Sequence, residues 1–107
     1  MDAIQRVTRP TASVLETMLG HRQPMWGLRL AKETSLAPAT VYSLLARLER
    51  AGVVASSWEE ETERPGPRRR LYELTQDGAI VAAAAVRAYA AKGTRAPRAA
   101  GLAGRTQ

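Results

Sequence analysis

The sequence predicts a small α+β domain, mainly α, in which three helices precede a two-stranded hairpin and a fourth helix follows it. Apolar residues recur at helical spacing in residues 10–19 and 38–50, and the pattern changes to that of short strands in residues 53–59 and 69–74. The chain has 107 residues and no cysteine, which favours one domain with one hydrophobic core and no disulfides.

The first helix is expected to begin at Pro10 and to end at Gly20, because proline suits a first turn and glycine suits the position after the last one. Its apolar residues share one face: Val14, Leu15, Met18 and Leu19. Residues 26–34 predict a short second helix. The turn at residues 34–37 has the length that sets this helix against the next one.

The third helix, residues 38–50, carries the most informative pattern in the chain. Pro38 suits its first position, and Gly52 follows its end. Its core-facing stripe consists of apolar residues at i, i+3, i+4 and i+7: Val41, Leu44, Leu45 and Leu48. The opposite face is small and polar near the start and basic near the end: Ala39, Thr40, Ser43, Ala46, Arg47 and Arg50. This layout is typical of a helix that enters the major groove of DNA.

A hairpin is predicted after the third helix. Its strands cover residues 53–59 and 69–74, and the loop between them contains Pro65 and Pro67, which cannot lie inside a central strand. The order of helix, strand, basic loop and strand predicts the second half of a winged helix-turn-helix. In that arrangement the three helices form the core, and the hairpin loop, or wing, lies along the sugar–phosphate backbone of DNA.

Thr75 is the expected N-cap of a fourth helix, residues 76–92, which is rich in alanine. A domain of this size buries little apolar surface on its own, so a homodimer is expected through the fourth and first helices. The expected dimer interface contains Val14, Met18, Ile80, Ala84 and Tyr89. The alternative is a fourth helix folded back on its own domain. The expected organisation is a flexible N-terminal arm (1–9), a winged helix DNA-binding domain (10–75), a dimerisation helix (76–92) and a disordered tail (93–107).

The net charge of +6 favours an anionic partner. Residues 35–70 nevertheless hold six basic and five acidic residues, so the half expected to bind DNA is nearly neutral. Its charges are segregated, because four glutamates precede a basic end made of Arg64, Arg68, Arg69 and Arg70. Either this basic end contacts phosphates or the loop is a solvated charged segment.

Several segments together resemble the PadR family of transcriptional regulators, most closely its small, short-tailed branch. They are residues 26–28 (Trp-Gly-Leu), 37–42 (Ala-Pro-Ala-Thr-Val-Tyr), 45–52 (Leu-Ala-Arg-Leu-Glu-Arg-Ala-Gly), 58–59 (Trp-Glu) and 67–78 (Pro-Arg-Arg-Arg-Leu-Tyr-Glu-Leu-Thr-Gln-Asp-Gly). The resemblance implies a homodimeric winged-helix repressor that binds a pseudo-palindromic operator in double-stranded DNA. It also implies a small aromatic effector that releases the DNA, as in some members.

The chain departs from the family pattern in the third helix. Ala37 stands where relatives usually have a capping serine, so the helix start is expected to lack its cap or to be capped by Ser35. Ser43 stands where most relatives have proline, and it adds a hydrogen-bonding group to the groove face.

The residues expected to contact DNA lie on the third helix and the wing: Ala39, Thr40, Tyr42, Ser43, Arg47, Arg64, Arg68, Arg69 and Arg70. Two of them have open alternatives. The Tyr42 hydroxyl either contacts DNA, as the resemblance suggests, or the ring packs against the second helix, and Arg47 either reaches DNA or is simply solvated. The aromatic and thioether side chains of Trp26, Trp58 and Met18 either line an effector pocket or belong to the core.

Neither enzyme chemistry nor a metal or cofactor is expected. His21 is the only histidine, and the sequence contains no nucleophile–histidine–acid pattern and no phosphate-binding glycine loop. The longest apolar run, residues 79–86, is shorter than the ~20 residues that a membrane span requires. A soluble, cytoplasmic and nucleoid-associated protein without a membrane partner is therefore expected. The alternative function is that of a winged-helix protein-interaction adaptor without specific DNA readout.

Overall fold

The structure, a computed structural model, describes residues 6–21, 23–60 and 64–95. Helices and strands follow one another in the order that the sequence predicts, with one added strand. The elements are α1 (Arg9–Leu19), β1 (Met25–Trp26), α2 (Gly27–Thr34), α3 (Pro38–Arg50), β2 (Val54–Trp58), β3 (Arg70–Leu74) and α4 (Gln76–Arg95).

The sheet has three antiparallel strands in the order β1-β3-β2, rather than the two that the sequence predicted. The unexpected strand β1 is two residues long, with Met25 opposite Tyr72 and Trp26 opposite Leu71. Trp26 was expected to begin the second helix. A two-residue strand has no periodicity of its own, and only its pairing with the distant β3 defines it.

The core lies between the three N-terminal helices and one face of the sheet. All four residues of the expected α3 stripe are buried there, and burial of a large aliphatic side chain contributes about 1.5–3 kcal/mol. The fully buried large aliphatic side chains come from each N-terminal helix and from the hairpin: Val14 and Leu15 on α1, Leu30 on α2, Val41 and Leu45 on α3, and Val53 and Val54 at the start of the hairpin. Because its inner face is fixed in this way, α3 presents its other face to solvent.

Helix α4 packs against α1 of its own chain. Ala82 is fully buried, and Val81, Ala85 and Val86 pack against the core, whereas Ile80 points away from it. The helix continues through Gly93 to Arg95, three residues past the expected end at Lys92. Residues 96–107, most of the expected disordered tail, and residues 1–5 of the expected arm lie outside the described residues.

Capping side chains fix the starts of α1 and α4. The Thr8 hydroxyl accepts a hydrogen bond from the Thr11 N–H, so the first helix begins at Arg9, inside the expected arm. The Thr75 hydroxyl accepts a hydrogen bond from the Gly78 N–H at 2.8 Å and donates one to the Gly52 carbonyl at 2.8 Å. Thr75 therefore caps α4, as expected, and also ties it to the end of α3.

The start of α3 has no side-chain cap. Its N-cap is Ala37, and Pro38 occupies the first turn. Ser35 instead ends α2 in the left-handed conformation, with φ 63°. The expected alternative of a Ser35 cap on α3 is therefore wrong, because the Ser35 backbone is used to turn the chain out of α2.

Candidate nucleic-acid interface

The outer face of α3 is a surface of short side chains. Ala39, Thr40 and Ser43 are all exposed, and Arg47 and Arg50 follow them in the last turn. Short side chains let a helix backbone approach a partner closely, while hydroxyl groups donate and accept hydrogen bonds at base edges. The outer face of α3 therefore combines small side chains with exposed hydroxyl groups and a basic end.

Arg47 is exposed but is not simply solvated. Its guanidinium donates a hydrogen bond to the Thr11 hydroxyl at 3.3 Å, which lies 3.1 Å from the Thr8 hydroxyl. Arg47 therefore links the outer face of α3 to the start of α1.

Tyr42 packs against the second helix. A Cβ atom added at Gly27 would lie 2.5 Å from Cε1 of the Tyr42 ring, so only glycine allows this close approach. The side chain remains 38% exposed. The packing alternative is therefore correct for the ring, and its outer edge still faces the surface next to α3.

A groove separates α3 from the wing. Its volume is about 400 Å³, and its lining consists of Trp26, Leu28, Tyr42, Arg64, Pro65, Gly66, Pro67, Arg68, Arg69 and Arg70. An aromatic and aliphatic wall from β1, α2 and α3 thus faces a basic wall from the hairpin. The groove joins the two parts of the chain that the sequence predicted to contact DNA.

Glu59 holds the basic end of the wing. Its carboxylate forms an ion pair with Arg64 and accepts a hydrogen bond from the Arg69 N–H at 3.0 Å. The Arg69 guanidinium lies 3.7 Å above the centre of the Trp26 ring, in cation–π geometry, and its Nε is buried without a hydrogen-bond partner among the described residues. Arg68 is exposed. The wing arginines are therefore not equivalent.

Arg70 is tied back to α3. Its guanidinium donates a hydrogen bond to the Ser56 hydroxyl at 2.8 Å and lies 4.0 Å from the Glu49 carboxylate. Ser56 in turn donates to Glu49 at 2.6 Å. The guanidinium also lies 5.2 Å from the centre of the Trp58 ring. Neither Glu49 nor Ser56 could be identified from the sequence as a partner of Arg70, because the strand pairing and the packing of the hairpin on α3 bring them together.

The three candidate effector residues do not line one cavity in the described part of the chain. Met18 lines a cavity of about 220 Å³ together with Met25, Tyr72 and Leu74. Trp26 lines the groove beside the wing instead, and Trp58 is 59% exposed on strand β2. Their grouping from sequence is therefore corrected, because the sheet separates them.

The five residues expected at the dimer interface also differ in their exposure to solvent. Val14 and Met18 are only 0% and 4% exposed, because they pack inside their own domain, and they are removed from the expected interface. On α4, Ile80 is 69% exposed and Ala84 is exposed, whereas Tyr89 is half-buried. The helical pattern of α1 predicted a buried face correctly but could not say which element covers it.

Two classes of site are absent from residues 6–21, 23–60 and 64–95. No group of three or more His, Cys, Asp or Glu side chains is placed to hold a metal ion. No helix within those ranges has the length and apolar character needed to span a bilayer.

Three helices, a small antiparallel sheet and an exposed α3 beside a basic hairpin define the molecule as a winged-helix protein. The chain belongs to the PadR-like family of transcriptional regulators, whose family model matches residues 14–84. The resemblance seen in the sequence is thereby confirmed. So is the expectation that the chain is not an enzyme, since the family consists of regulators.

Solved structures share the fold. A PadR-like transcription factor from Bacteroides fragilis is 24% identical with a TM-score of 0.60, and the match covers 78% of this chain and 82% of that one. The PcaV regulator from Streptomyces coelicolor, in complex with its natural ligand, is 20% identical with a TM-score of 0.71, covering 91% and 64%. MepR, which regulates the Staphylococcus aureus multidrug efflux pump MepA, is 20% identical with a TM-score of 0.65, covering 84% and 63%. The chain thus spans less than two thirds of PcaV and MepR. No curated protein matches the sequence.

Proposed function

We propose that this protein is a sequence-specific regulator that binds double-stranded DNA as a homodimer and represses transcription from a pseudo-palindromic operator. The outer face of α3 carries this proposal. It combines two short hydroxyl side chains, Thr40 and Ser43, with exposed alanine and terminal arginines. Those residues suit close approach to base edges in the major groove.

The wing would bind the backbone in this proposal. Exposed Arg68 is the wing cation best placed to meet a phosphate, and Arg64, Arg69 and Arg70 lie beside it along the groove. Phosphate contacts position a protein on DNA without reading its sequence. Tyr42, at the opposite wall of the groove, is proposed to contact the same backbone through its hydroxyl.

A second copy of the chain would cover the outer face of α4. Ile80 and Ala84 lie one helical turn apart on this face, and both are exposed. Two-fold symmetry of the protein would match a two-fold symmetric operator, with half-sites about one DNA turn apart or a multiple of it.

A small aromatic effector is proposed for the cavity beside Met18. Its apolar walls come from Met18, Met25 and Leu74, and its volume of about 220 Å³ suits a single-ring compound rather than a larger ligand. Titration with single-ring phenols and benzoates tests this site. Heat of binding in a calorimetric titration together with release of bound DNA would support this site, and unchanged DNA binding throughout the series would contradict it.

The test of the proposed function is selection of duplexes from a randomised library by the purified protein. Enrichment of a palindromic sequence, retained in a gel shift against excess nonspecific DNA, is the expected result. Thr40→Ala and Ser43→Ala should then weaken binding to the selected duplex but not to a scrambled one.

Failure to enrich any sequence would contradict specific readout and would favour the adaptor alternative. The near-neutral charge of residues 35–70 and the pairing of Arg64 and Arg70 with glutamates favour that second candidate.

A further inference from the structure

The most exposed aromatic side chain among the described residues is Trp58, on the edge strand β2. Tryptophan is 59% exposed here, although it is the side chain that usually gains most from burial. It lies directly opposite Arg70 in the sheet, and the Arg70 guanidinium is 5.2 Å from its ring centre. We call Trp58 and Arg70 together the Trp58 patch.

The register shows which way the Trp58 patch faces. Cross-strand partners share a sheet face, and the partners of the Trp58–Arg70 pair along this face are Ser56–Tyr72 and Val54–Leu74. Val54 and Tyr72 are buried against the helices. The sheet face that packs on the core therefore continues past the core, where it ends in an exposed indole and a guanidinium.

Two side chains hold the Trp58 patch against α3. Ser56 bridges the Arg70 guanidinium and the Glu49 carboxylate, with hydrogen bonds of 2.8 and 2.6 Å. Glu49 lies in the last turn of α3. The Trp58 patch is thus held to the end of the helix proposed to bind DNA.

We propose that the Trp58 patch is a second contact with the DNA backbone, in which the indole packs on a deoxyribose and Arg70 binds the adjacent phosphate. A flat aromatic surface next to a planar cation suits the alternation of sugar and phosphate, and guanidinium binds phosphate in a bidentate manner. Glu49 and Ser56 are positioning residues, since they orient Arg70 and do not themselves contact DNA. The inference rests on the proposed function.

The test compares variants on two labelled duplexes, the one selected by the wild-type protein and a scrambled one. Trp58→Ala should weaken binding about tenfold on both duplexes, because a sugar contact carries no sequence information, whereas Trp58→Phe should retain most of the affinity. Arg70→Gln should lower the slope of log affinity against log salt by about one unit, and Arg70→Lys should keep the slope. Lys92→Gln, at an exposed position on α4 away from the face that contains Ile80 and Ala84, is the charge-matched control and should leave affinity and slope unchanged.

A second measurement does not depend on the stability of Trp58→Ala. In a Trp26→Phe variant, Trp58 is the only tryptophan, so iodide quenching reports its exposure directly. Saturating the variant with the selected duplex should lower the quenching constant severalfold. An unchanged constant at saturation would overturn the inference.

The failure of this inference can be distinguished from failure of the proposed function. If the wild-type protein retains no duplex, both the proposed function and the inference about the Trp58 patch are contradicted. If Arg68→Gln weakens binding while Trp58→Ala matches wild type on both duplexes, only the Trp58 patch is refuted. Reduced self-association of Trp58→Ala, with unchanged DNA affinity, would assign the patch to protein contact and would equally overturn it.

Discussion

Gly78 and Gly20 occupy very different surroundings, although both lie at helix ends. A Cβ atom added at Gly78 would lie 1.9 Å from the Val53 carbonyl oxygen, a backbone atom that cannot move aside. At Gly20 the nearest atom would be 3.5 Å away, and φ is −81°. The absence of a side chain at Gly78 therefore allows the first turn of α4 to pack directly against the Val53 backbone, between α3 and β2.

Gly78→Ala should destabilise the protein by about 2 kcal/mol or more, because the overlap forces α4 away from that connection. Gly20→Ala is the control and should be neutral or stabilising by about 0.4–1 kcal/mol, since alanine fits its backbone conformation. Urea unfolding followed by circular dichroism measures both. Equal stabilities for the two variants would contradict the close contact at Gly78.

The Glu33 carboxyl group makes the folding stability slightly dependent on pH. Hydrogen bonds from Arg29 at 2.8 Å and then from His21 at 3.1 Å lower the pKa of its carboxyl group. Because the carboxyl has a lower pKa in the folded state than in the unfolded state, its ionised form stabilises the fold at pH values above the unfolded-state pKa. This stabilisation is lost as the pH falls through the folded-state pKa.

Wild type should therefore exceed Glu33→Gln in melting temperature at neutral pH, and the gap should close as the pH falls below the usual glutamate range. Added salt should also reduce the gap, because these groups are exposed. Thermal melts at several pH values check this. A gap that is constant with pH would mean that the Glu33 charge contributes nothing.

At the element scale, α3 starts without the hydroxyl cap that helix starts usually carry. Ala37→Ser should add a hydrogen bond to a free N–H group of the first turn and stabilise the protein by about 0.5–2 kcal/mol. Ala46→Ser, in the exposed middle of the same helix, lacks such a group to cap and should be slightly destabilising. Denaturant unfolding of both variants measures the difference, and a stabilising Ala46→Ser or a neutral Ala37→Ser would argue against a cap-deficient helix.

Elements with local periodicity could be predicted from the sequence. The position of α3 was predicted from its apolar stripe, which begins at Val41, and from Pro38 and Gly52 at its two ends. Both signals are local, because core burial and helix termination act on residues of the same helix. Strand β1 was missed, since its two residues become a strand only through pairing with β3. The left-handed Ser35 was missed for a similar reason, because α2 and α3 together impose that turn on a residue with no special preference for it.

The candidate site was predictable in outline but not in its contacts. The expected strand at residues 69–74 contains Arg70, yet the partners of Arg70, Ser56 and Glu49, come from other elements. Patterns of charge showed that the wing is basic at one end. They could not show that Glu59 neutralises part of this charge, because the ion pair depends on the folded hairpin.

At the scale of the whole molecule, α4 has one face on its own domain and one face free. Ile80→Glu should weaken the proposed homodimer by at least about tenfold, because it would bury a charge in an apolar contact. Gln23→Glu adds the same charge on an exposed loop and should leave the dimer unchanged. Sedimentation velocity over a range of concentrations distinguishes the two, and an Ile80→Glu variant that dimerises like wild type would place the interface elsewhere.

Operator binding should follow the dimer. If each subunit fills one half-site, Ile80→Glu should also lose cooperative binding to a full palindrome while keeping weak binding to a single half-site. Gel shifts with full and half sites measure this. Full-strength palindrome binding by a monomeric variant would contradict a two-fold symmetric complex.

The most direct measurement compares the sequence preferences of α3 and wing variants by repeating the duplex selection with each one. Ser43→Ala should relax the preference at one position of each half-site by about fivefold, the effect of one hydrogen bond to a base, and leave the salt dependence unchanged. Arg68→Gln should keep the preference and lose about one unit of salt slope. If Ser43→Ala and Thr40→Ala both select the same sequences as wild type with undiminished preference, the outer face of α3 does not read DNA.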